Sequence, residues 1–322
     1  MNLIAEFDIV NNREIAPEEF DNKQKAELSC PLCSANRCSE IYSNPLIYRC
    51  QKCGHAFRTQ NDPRVISGYV GKVKMPEIIV AKYFADFYYR LIDKHIGFNR
   101  IDSLLEIGSG DGVLLARIRK YNPLTKITAI EPSRYHCEHL KRIPNIDVIN
   151  DYIENAYPNY RYDLIIMSHV LEHIPDPKSA LEDIASRFLN PGGHLLIGVP
   201  SGEFELYNRQ TAAIAPSGHL HFFNGGSLLE LLKTAKFNID SALGFKIKTI
   251  PANYHEIANC IARYSNSKKP LDIFLKYYYK AIRRILTFAK VSMLFLFRVG
   301  PDRQPLDSPV GCFNNIVIIV KK

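Results

Sequence analysis

Ile101-Asp-Ser-Leu-Leu-Glu106-Ile-Gly108-Ser-Gly110-Asp111-Gly112-Val-Leu-Leu-Ala-Arg-Ile-Arg119 is the stretch that decides the fold. An apolar strand runs into a glycine-rich turn and then into a helix, the place where an open α/β sheet receives an adenosyl cofactor. The glycines fall as Gly-x-Gly-x-Gly rather than Gly-x-Gly-x-x-Gly, and one such loop says little alone. The strands downstream, spaced at βαβ intervals, carry the reading. Lys126-Ile-Thr-Ala-Ile-Glu131 reads as a second strand ending in a carboxylate about twenty residues past the loop, suited to accept both ribose hydroxyls. Ile146-Asp-Val-Ile-Asn-Asp151 reads as a third, Tyr162 to Ser168 as a fourth and Gly193 to Val199 as a fifth. The fourth and fifth each have the continuous apolar core of a strand buried on both faces of a parallel sheet.

An amphipathic helix over about Pro76 to Ile96 precedes this unit, and Asn315-Ile-Val-Ile-Ile-Val320 closes the chain as a last strand. Between Arg263 and Arg303 lie ten Lys and Arg against Asp272 and Asp302, which accounts for the whole net charge of +8. The rest of the chain is therefore near neutral, unlike a surface that coats nucleic acid. From Leu271 to Val299, Lys276, Lys280, Arg283, Arg284, Thr287 and Lys290 recur at helical steps, so this segment reads as a basic amphipathic helix. Such a helix suits peripheral contact with an anionic membrane or an anionic acceptor, or packing on the body or on a second subunit of a homodimer.

Taken together, Leu104 to Gly112, Ala129-Ile-Glu-Pro132, Ser168-His-Val-Leu-Glu-His-Ile-Pro-Asp-Pro177 and Leu189-Asn-Pro-Gly-Gly193 resemble, in kind and order, the class I S-adenosylmethionine-dependent methyltransferases over roughly 83–245. The resemblance implies an α/β, Rossmann-like seven-stranded sheet with helices on both faces, in which Asn315–Val320 is the antiparallel seventh strand, paired beside the fifth and sixth. It implies S-adenosyl-L-methionine as methyl donor. Glu106, Gly108, Gly110, Asp111 and Gly112 then face its methionine part, Glu131 and Pro132 its ribose, Asp151 and Tyr152 its adenine, and Ser168 and His169 the methionyl side. Ser217-Gly-His219-Leu-His221-Phe-Phe223 resembles the His-x-x-x-Phe segment of a broad subgroup. Two His on a loop at the carboxyl ends of parallel strands suit general-base work near neutral pH, His219 first and His221 second. His169 and His173 are expected to shape the pocket.

Cys30-Pro-Leu-Cys33 and Cys50-Gln-Lys-Cys53-Gly54 have the spacing of a four-thiolate zinc site, a closed shell with no position open for catalysis. Iron has the same ligand geometry in rubredoxin-like sites. Cys38 is a spare thiol. Such a ribbon ahead of this fold resembles certain sugar methyltransferases, but Pro216 and Gly218 stand near the positions where the C-methylating members carry a Tyr and an acid, so O- or N-methylation is favoured. The expected organisation is a ribbon segment over 1–65, the cofactor-binding core over 66–250, a basic helical insertion over 251–312 and a final strand over 313–322. A small-molecule or glycan acceptor is the first expectation, a zinc-ribbon RNA methyltransferase or a non-catalytic module of the same fold the alternatives. The 322 residues, 46% hydrophobic, suffice for a sizeable core. Met1 to Val10 carries Glu6 and Asp8 without a basic n-region, and no apolar run nears the roughly 18 residues of a membrane span, so a cytoplasmic setting is expected, with docking at the inner membrane surface if the basic helix acts there.

Overall fold

The computed structural model describes residues 7–8, 13–14, 28–43, 46–59, 75–158, 160–211, 218–246, 277–278, 302–304 and 315–322. The basic helix expected over 271–299 lies outside them save for Tyr277 and Tyr278, which are helical and exposed. A two-residue hairpin, β1 (Phe7–Asp8) and β2 (Arg13–Glu14), comes first. The ribbon strands are next: β3 (Cys38–Ser43), β4 (Leu46–Cys50) and β5 (Ala56–Phe57).

Helix α1 (Met75–His95) leads into the core, which alternates β6 (Ser103–Ile107), α2 (Val113–Tyr121), β7 (Lys126–Ile130), α3 (Arg134–Leu140), β8 (Ile146–Ile149) and β9 (Tyr162–Ser168). After α4 (Pro177–Asp183) come β10 (Leu189–Pro200), α5 (Gly202–Thr211), β11 (His221–Phe222), α6 (Gly225–Thr234), β12 (Asn238–Lys246), β13 (Asp302–Gln304) and β14 (Asn315–Lys321).

The main sheet runs β13-β12-β14-β10-β9-β6-β7-β8. β10, β9, β6, β7 and β8 are parallel, and β14 lies antiparallel between β10 and β12, as the sequence leads one to expect. The seven expected strands are all present. An eighth, the three-residue β13, extends the edge by pairing with β12.

Strand side chains alternate between two cores because the pleat turns successive residues to opposite faces. Leu104, Ile127, Ala129, Leu164, Ile166, Leu196, Val317 and Ile319 meet α1 and α2 through Tyr88, Leu91, Ile92, Leu115 and Ile118. On the other face Leu105, Ile165, Met167, Ile197 and Ile318 meet α4 and α6 through Leu181, Leu228 and Leu232. Helix α1 buries Phe87, Tyr88, Leu91 and Ile92, a stripe at one-, three- and four-residue steps that a helix presents to a single surface. Asn224 caps α6 by accepting from the Ser227 N–H at 2.7 Å while Ser227 Oγ accepts from the Asn224 N–H at 3.1 Å, which satisfies two otherwise open backbone donors.

The ribbon is not a free appendage. β5 pairs antiparallel with β11, so the four-stranded sheet β11-β5-β4-β3 takes its last strand from the loop beyond β10. Arg49 reinforces the junction with two hydrogen bonds to the Glu203 carboxylate, at 2.8 and 3.3 Å, and the Tyr42 hydroxyl donates to the Leu206 carbonyl at 2.8 Å. Among the described residues no helix is long and apolar enough to cross a membrane.

Ile318 is fully buried in β14 opposite Ile197 and Ala242. Ile318→Ala is expected to cost about 2–5 kcal/mol, the usual range for such a truncation, read as a lowered urea midpoint with unchanged slope.

Candidate active site

The carboxyl ends of β9, β6, β7 and β8 lie side by side, and the residues just beyond them form one concave edge. Gly108 donates its N–H to the Ile130 carbonyl at 2.8 Å, which carries the β6 ladder one step past the strand. Gly108, Gly110 and Gly112 all have positive φ, near 70°, 51° and 71°, a region that an L side chain enters only at a cost. They serve different ends. A Cβ on Gly108 would collide with Val170 in the loop after β9, and one on Gly112 would come within 2.6–2.7 Å of Leu140 and Ile143. One on Gly110 would meet nothing within 4 Å. The outer two glycines permit packing; the middle one keeps backbone open to a bound molecule.

Glu131 closes this loop from the end of β7. Its carboxylate accepts from the Gly110 N–H at 2.8 Å and from the Ser133 N–H at 2.9 Å. Asn150, after β8, donates to the Glu131 and Pro132 carbonyls, both at 2.9 Å, and so holds the β7 and β8 ends together. Asp151 folds back to accept from the Tyr152 N–H at 2.7 Å, and the Tyr152 ring stands largely exposed at this rim. Asp111 points away from the edge: its Oδ1 meets His136 Nδ1 at 2.7 Å and His139 Nδ1 at 3.1 Å, which ties the loop to α3. Nothing in the spacing of His136 and His139 announces that role.

Glu106 is buried in β6, and its Oε2 has no hydrogen-bond partner. Burial, with the neighbouring Glu131 carboxylate, pushes its pKa up to about 8. An unpartnered buried carboxyl beneath an open glycine is a fit for a cationic ammonium group of the kind a methionine moiety carries.

Ser168 ends β9, and His169 comes next at φ 57° with its N–H on the Gly198 carbonyl at 2.8 Å. That strained step aims the next turn across the edge. Glu172, 1% exposed, has His169 Nδ1 at 3.6 Å and His219 Nε2 at 3.9 Å from its Oε1, and neither of its oxygens has a hydrogen-bond partner. Burial raises its pKa, but His169, His173 and His219 outweigh burial and hold it below the usual carboxylate range. His219 Nδ1 lies 2.9 Å from Glu205 Oε1 on α5, and His173 Nδ1 lies 2.9 Å from the Gly218 carbonyl. The structure thus brings His169, Glu172, His173, Glu205 and His219 together. Reading the sequence singles out the histidines but not Glu205, which lies fourteen residues from His219 with no motif linking them.

His221 is elsewhere. Its ring is 2% exposed, its Nε2 donates to the Ile174 carbonyl at 3.0 Å, and its Nδ1 faces His55 Nε2 at 3.0 Å. Burial lowers its pKa to about 4. With both ring nitrogens engaged inside the protein it has none to offer an acceptor, which corrects its candidacy as a base: strand pairing of β11 with β5 turns it inward. His55, next to the ribbon knuckle, is its buried partner rather than a surface residue.

Cys30, Cys33, Cys50 and Cys53 place their sulfurs within 4.8 Å of one another, with the Cys30–Cys53 and Cys33–Cys50 pairs at 3.6 Å. Four zinc–sulfur bonds of about 2.3 Å in a tetrahedron set sulfurs about 3.8 Å apart, so the donor set fits zinc. Burial opposes ionisation of Cys50, yet the Cys53 and Lys52 N–H groups aimed at its sulfur bring its pKa down to about 7. Cys38 instead donates to the Ala35 carbonyl at 3.6 Å.

A methyltransferase-domain family model matches residues 78–242, and the chain belongs to that family. Its sheet order and glycine loop are those that the resemblance to the class I S-adenosylmethionine-dependent methyltransferases implies. Its sequence is 28% identical over 100 residues to a ubiquinone biosynthesis O-methyltransferase of Proteus mirabilis, covering 29% of this chain and 39% of that protein. It is 26% identical over 182 residues to malonyl-[acyl-carrier protein] O-methyltransferase 2 of Ilyobacter polytropus, covering 52% of this chain and 69% of that protein. A probable S-adenosylmethionine-dependent methyltransferase of Mycolicibacterium smegmatis is 27% identical over 146 residues, covering 44% of this chain and 54% of that protein. The chain thus spans about half or less of the length of the first two of these relatives, the Proteus and Mycolicibacterium proteins. Among solved structures, coclaurine N-methyltransferase bound to N-methylheliamine and SAH aligns at a TM-score of 0.48 and 15% identity, over 79% of this chain and 76% of that one.

Glu106 makes a testable signature. Its folded pKa lies above its unfolded value of 4.5, so the stability that protonated Glu106 contributes is present below about pH 4.5 and is lost as pH rises toward about 8. Without cofactor, Glu106→Gln is expected to unfold at higher temperature than the parent at pH 8.5 and with little advantage at pH 4.5, as read by thermal scans at both values.

Proposed function

We propose that the chain moves a methyl group from S-adenosyl-L-methionine to a hydroxyl or amine of a sugar, glycan or other small metabolite, with His219 as the acceptor-side base. The observation that carries this reading is the array of Glu205 on α5, His219 on the loop before β11 and Glu172 on the turn after β9. When bound, S-adenosyl-L-methionine supplies an electrophilic methyl on a sulfonium, and the protein's work is alignment and proton handling. Glu131, Asp151 and Tyr152 would hold the adenosine end, and Glu106 and Gly110 with Ser168 and His169 the methionine end.

His219 donates its Nδ1–H to Glu205, a tautomer that leaves the Nε2 lone pair on the side of Glu172. An acceptor hydroxyl seated there gives its proton to Nε2 as its oxygen bonds to the methyl carbon and the carbon–sulfur pair leaves with sulfur. The imidazolium so formed is stabilised by Glu205 and Glu172. An amine acceptor uses the same nitrogen to become neutral before attack. His221 holds the wall in place through Ile174 and takes no proton.

The decisive experiment incubates the chain with methyl-labelled donor and fractionated cell extract. Acid-stable label in soluble or lipid-linked glycan or small-metabolite fractions supports the reading; label confined to RNA and removed by ribonuclease overturns it. With an acceptor in hand, His219→Ala is expected to lower turnover by roughly 10²-fold or more while calorimetric affinity for the donor stays unchanged.

Cys30, Cys33, Cys50 and Cys53 we assign to a structural zinc ion, since four converging thiols with backbone N–H groups on Cys30 and Cys50 need a cation to ionise together. Cys50→Ser is expected to release one zinc per chain and to lower the unfolding temperature, as read by metal analysis and thermal scans. An unchanged zinc content refutes the assignment.

A further inference from the structure

We propose that Glu172, His173 and His219 form a second metal site, separate from the ribbon, that takes a divalent cation of the manganese-to-zinc series. One ligand atom from each of the three lies within 4.8 Å of the others, and His219 Nε2 stands 3.9 Å from Glu172 Oε1. Metal–nitrogen and metal–oxygen bonds of about 2.0–2.2 Å put neighbouring ligand atoms about 3 to 3.5 Å apart. Side-chain shifts of less than about an ångström each close that difference.

The surroundings match what ligating histidines need. A histidine that binds a metal donates its other ring N–H to a carboxylate or a backbone carbonyl, which fixes its tautomer and its direction. Both rings do so here: His173 through Nδ1 to the Gly218 carbonyl at 2.9 Å, His219 through Nδ1 to the Glu205 carboxylate at 2.9 Å. The edge-on contact of the two rings, with centroids 4.8 Å apart, keeps them over the same carboxylate. Glu172 is a buried carboxylate that accepts no hydrogen bond on either oxygen, a costly arrangement for an anion, with His169 Nδ1 at 3.6 Å and His219 Nε2 at 3.9 Å from its Oε1. A cation placed among Glu172, His173 and His219 satisfies it. Its main chain is pinned independently, since the Glu172 carbonyl accepts from the Leu220 N–H at 2.8 Å and draws the His219 loop against the turn after β9.

Two imidazoles and one carboxylate suit manganese, iron, cobalt, nickel or zinc rather than calcium, which prefers an all-oxygen shell. Three protein ligands leave positions open, and His173 is exposed, so the open side faces solvent and an arriving acceptor. This inference rests on the reading of the wall as the acceptor side and replaces one step of it: the Nε2 lone pair of His219 either holds the cation or takes the acceptor proton, and with the ion bound a hydroxyl on an open position would be made more acidic and would give its proton to water instead of to His219.

The test uses the full chain with zinc in its ribbon, no acceptor present, and Mn(II) as the probe, with electron paramagnetic resonance of the free ion as the readout. Co(II) is the second probe, and its visible bands at this site lack the intense thiolate charge-transfer absorption that a ribbon-bound cobalt shows. One Mn(II) or Co(II) per chain is expected beyond the ribbon. His173→Ala, at an exposed position, should weaken binding at least about tenfold, and Glu205→Ala about 10–100-fold, the range for lost outer partners. Unchanged donor affinity in both variants shows that the fold survives. Failure of both ions to bind, or binding that His173→Ala leaves intact, overturns the proposal. Because the readout is ion binding without turnover, that failure leaves the methyl-transfer reading standing, and an absence of methylated product leaves the metal site standing.

Discussion

Gly108 and Val170 touch because β6 and β9 lie next to each other and leave the sheet at the same edge. That contact is the constraint on which the site depends. It brings the glycine loop against the turn that carries His169, Glu172 and His173, and it admits no side chain at Gly108. Two parallel strands buried on both faces have nowhere else to send their loops, and neighbouring strand ends generate the crevice. Glu131 and Asn150 extend the same edge across β7 and β8 through hydrogen bonds to backbone rather than through packing.

Two buried carboxylates without hydrogen-bond donors, Glu106 and Glu172, lie at this edge, and their environments push them in opposite directions. Glu106, in the apolar strand β6 with the Glu131 carboxylate beyond β7 as its charged neighbour, resists ionisation. Glu172, among three histidines, favours it. Environments that separate the protonation of two like groups also separate their roles, one suited to receive a cationic ligand and one to work beside a base or a metal ion.

The ribbon joins the turn that carries Glu172 by backbone and by imidazole. Strand β5 hydrogen-bonds to β11, His55 faces His221, and His221 reaches the Ile174 carbonyl two residues from Glu172. The His55–His221–Ile174 chain gives partners to three of the four ring nitrogens that burial removes from water, and leaves His55 Nδ1 without one. Ribbon order and the position of the Glu172 turn are therefore mechanically linked.

Periodicity and spacing alone suffice for the parallel strands, the glycine loop and the convergence of the four ribbon thiols, because each rests on local pattern: apolar runs, a fixed interval or a Cys-x-x-Cys turn; the antiparallel place of β14 is what the family resemblance implies. The same local view treated His219 and His221 as near equals, two residues apart on one loop. Only tertiary structure separates them, since His221 lies within β11, where pairing with β5 sets its ring against His55, while His219 lies two residues before that strand and meets Glu205. Glu205, His55, His136 and His139 acquire their partners across 14, 166, 25 and 28 residues of chain, distances at which no pattern in one sequence records who meets whom. Local pattern dictates which elements form; which side chains share a site is decided by strand order and by the face each residue turns to.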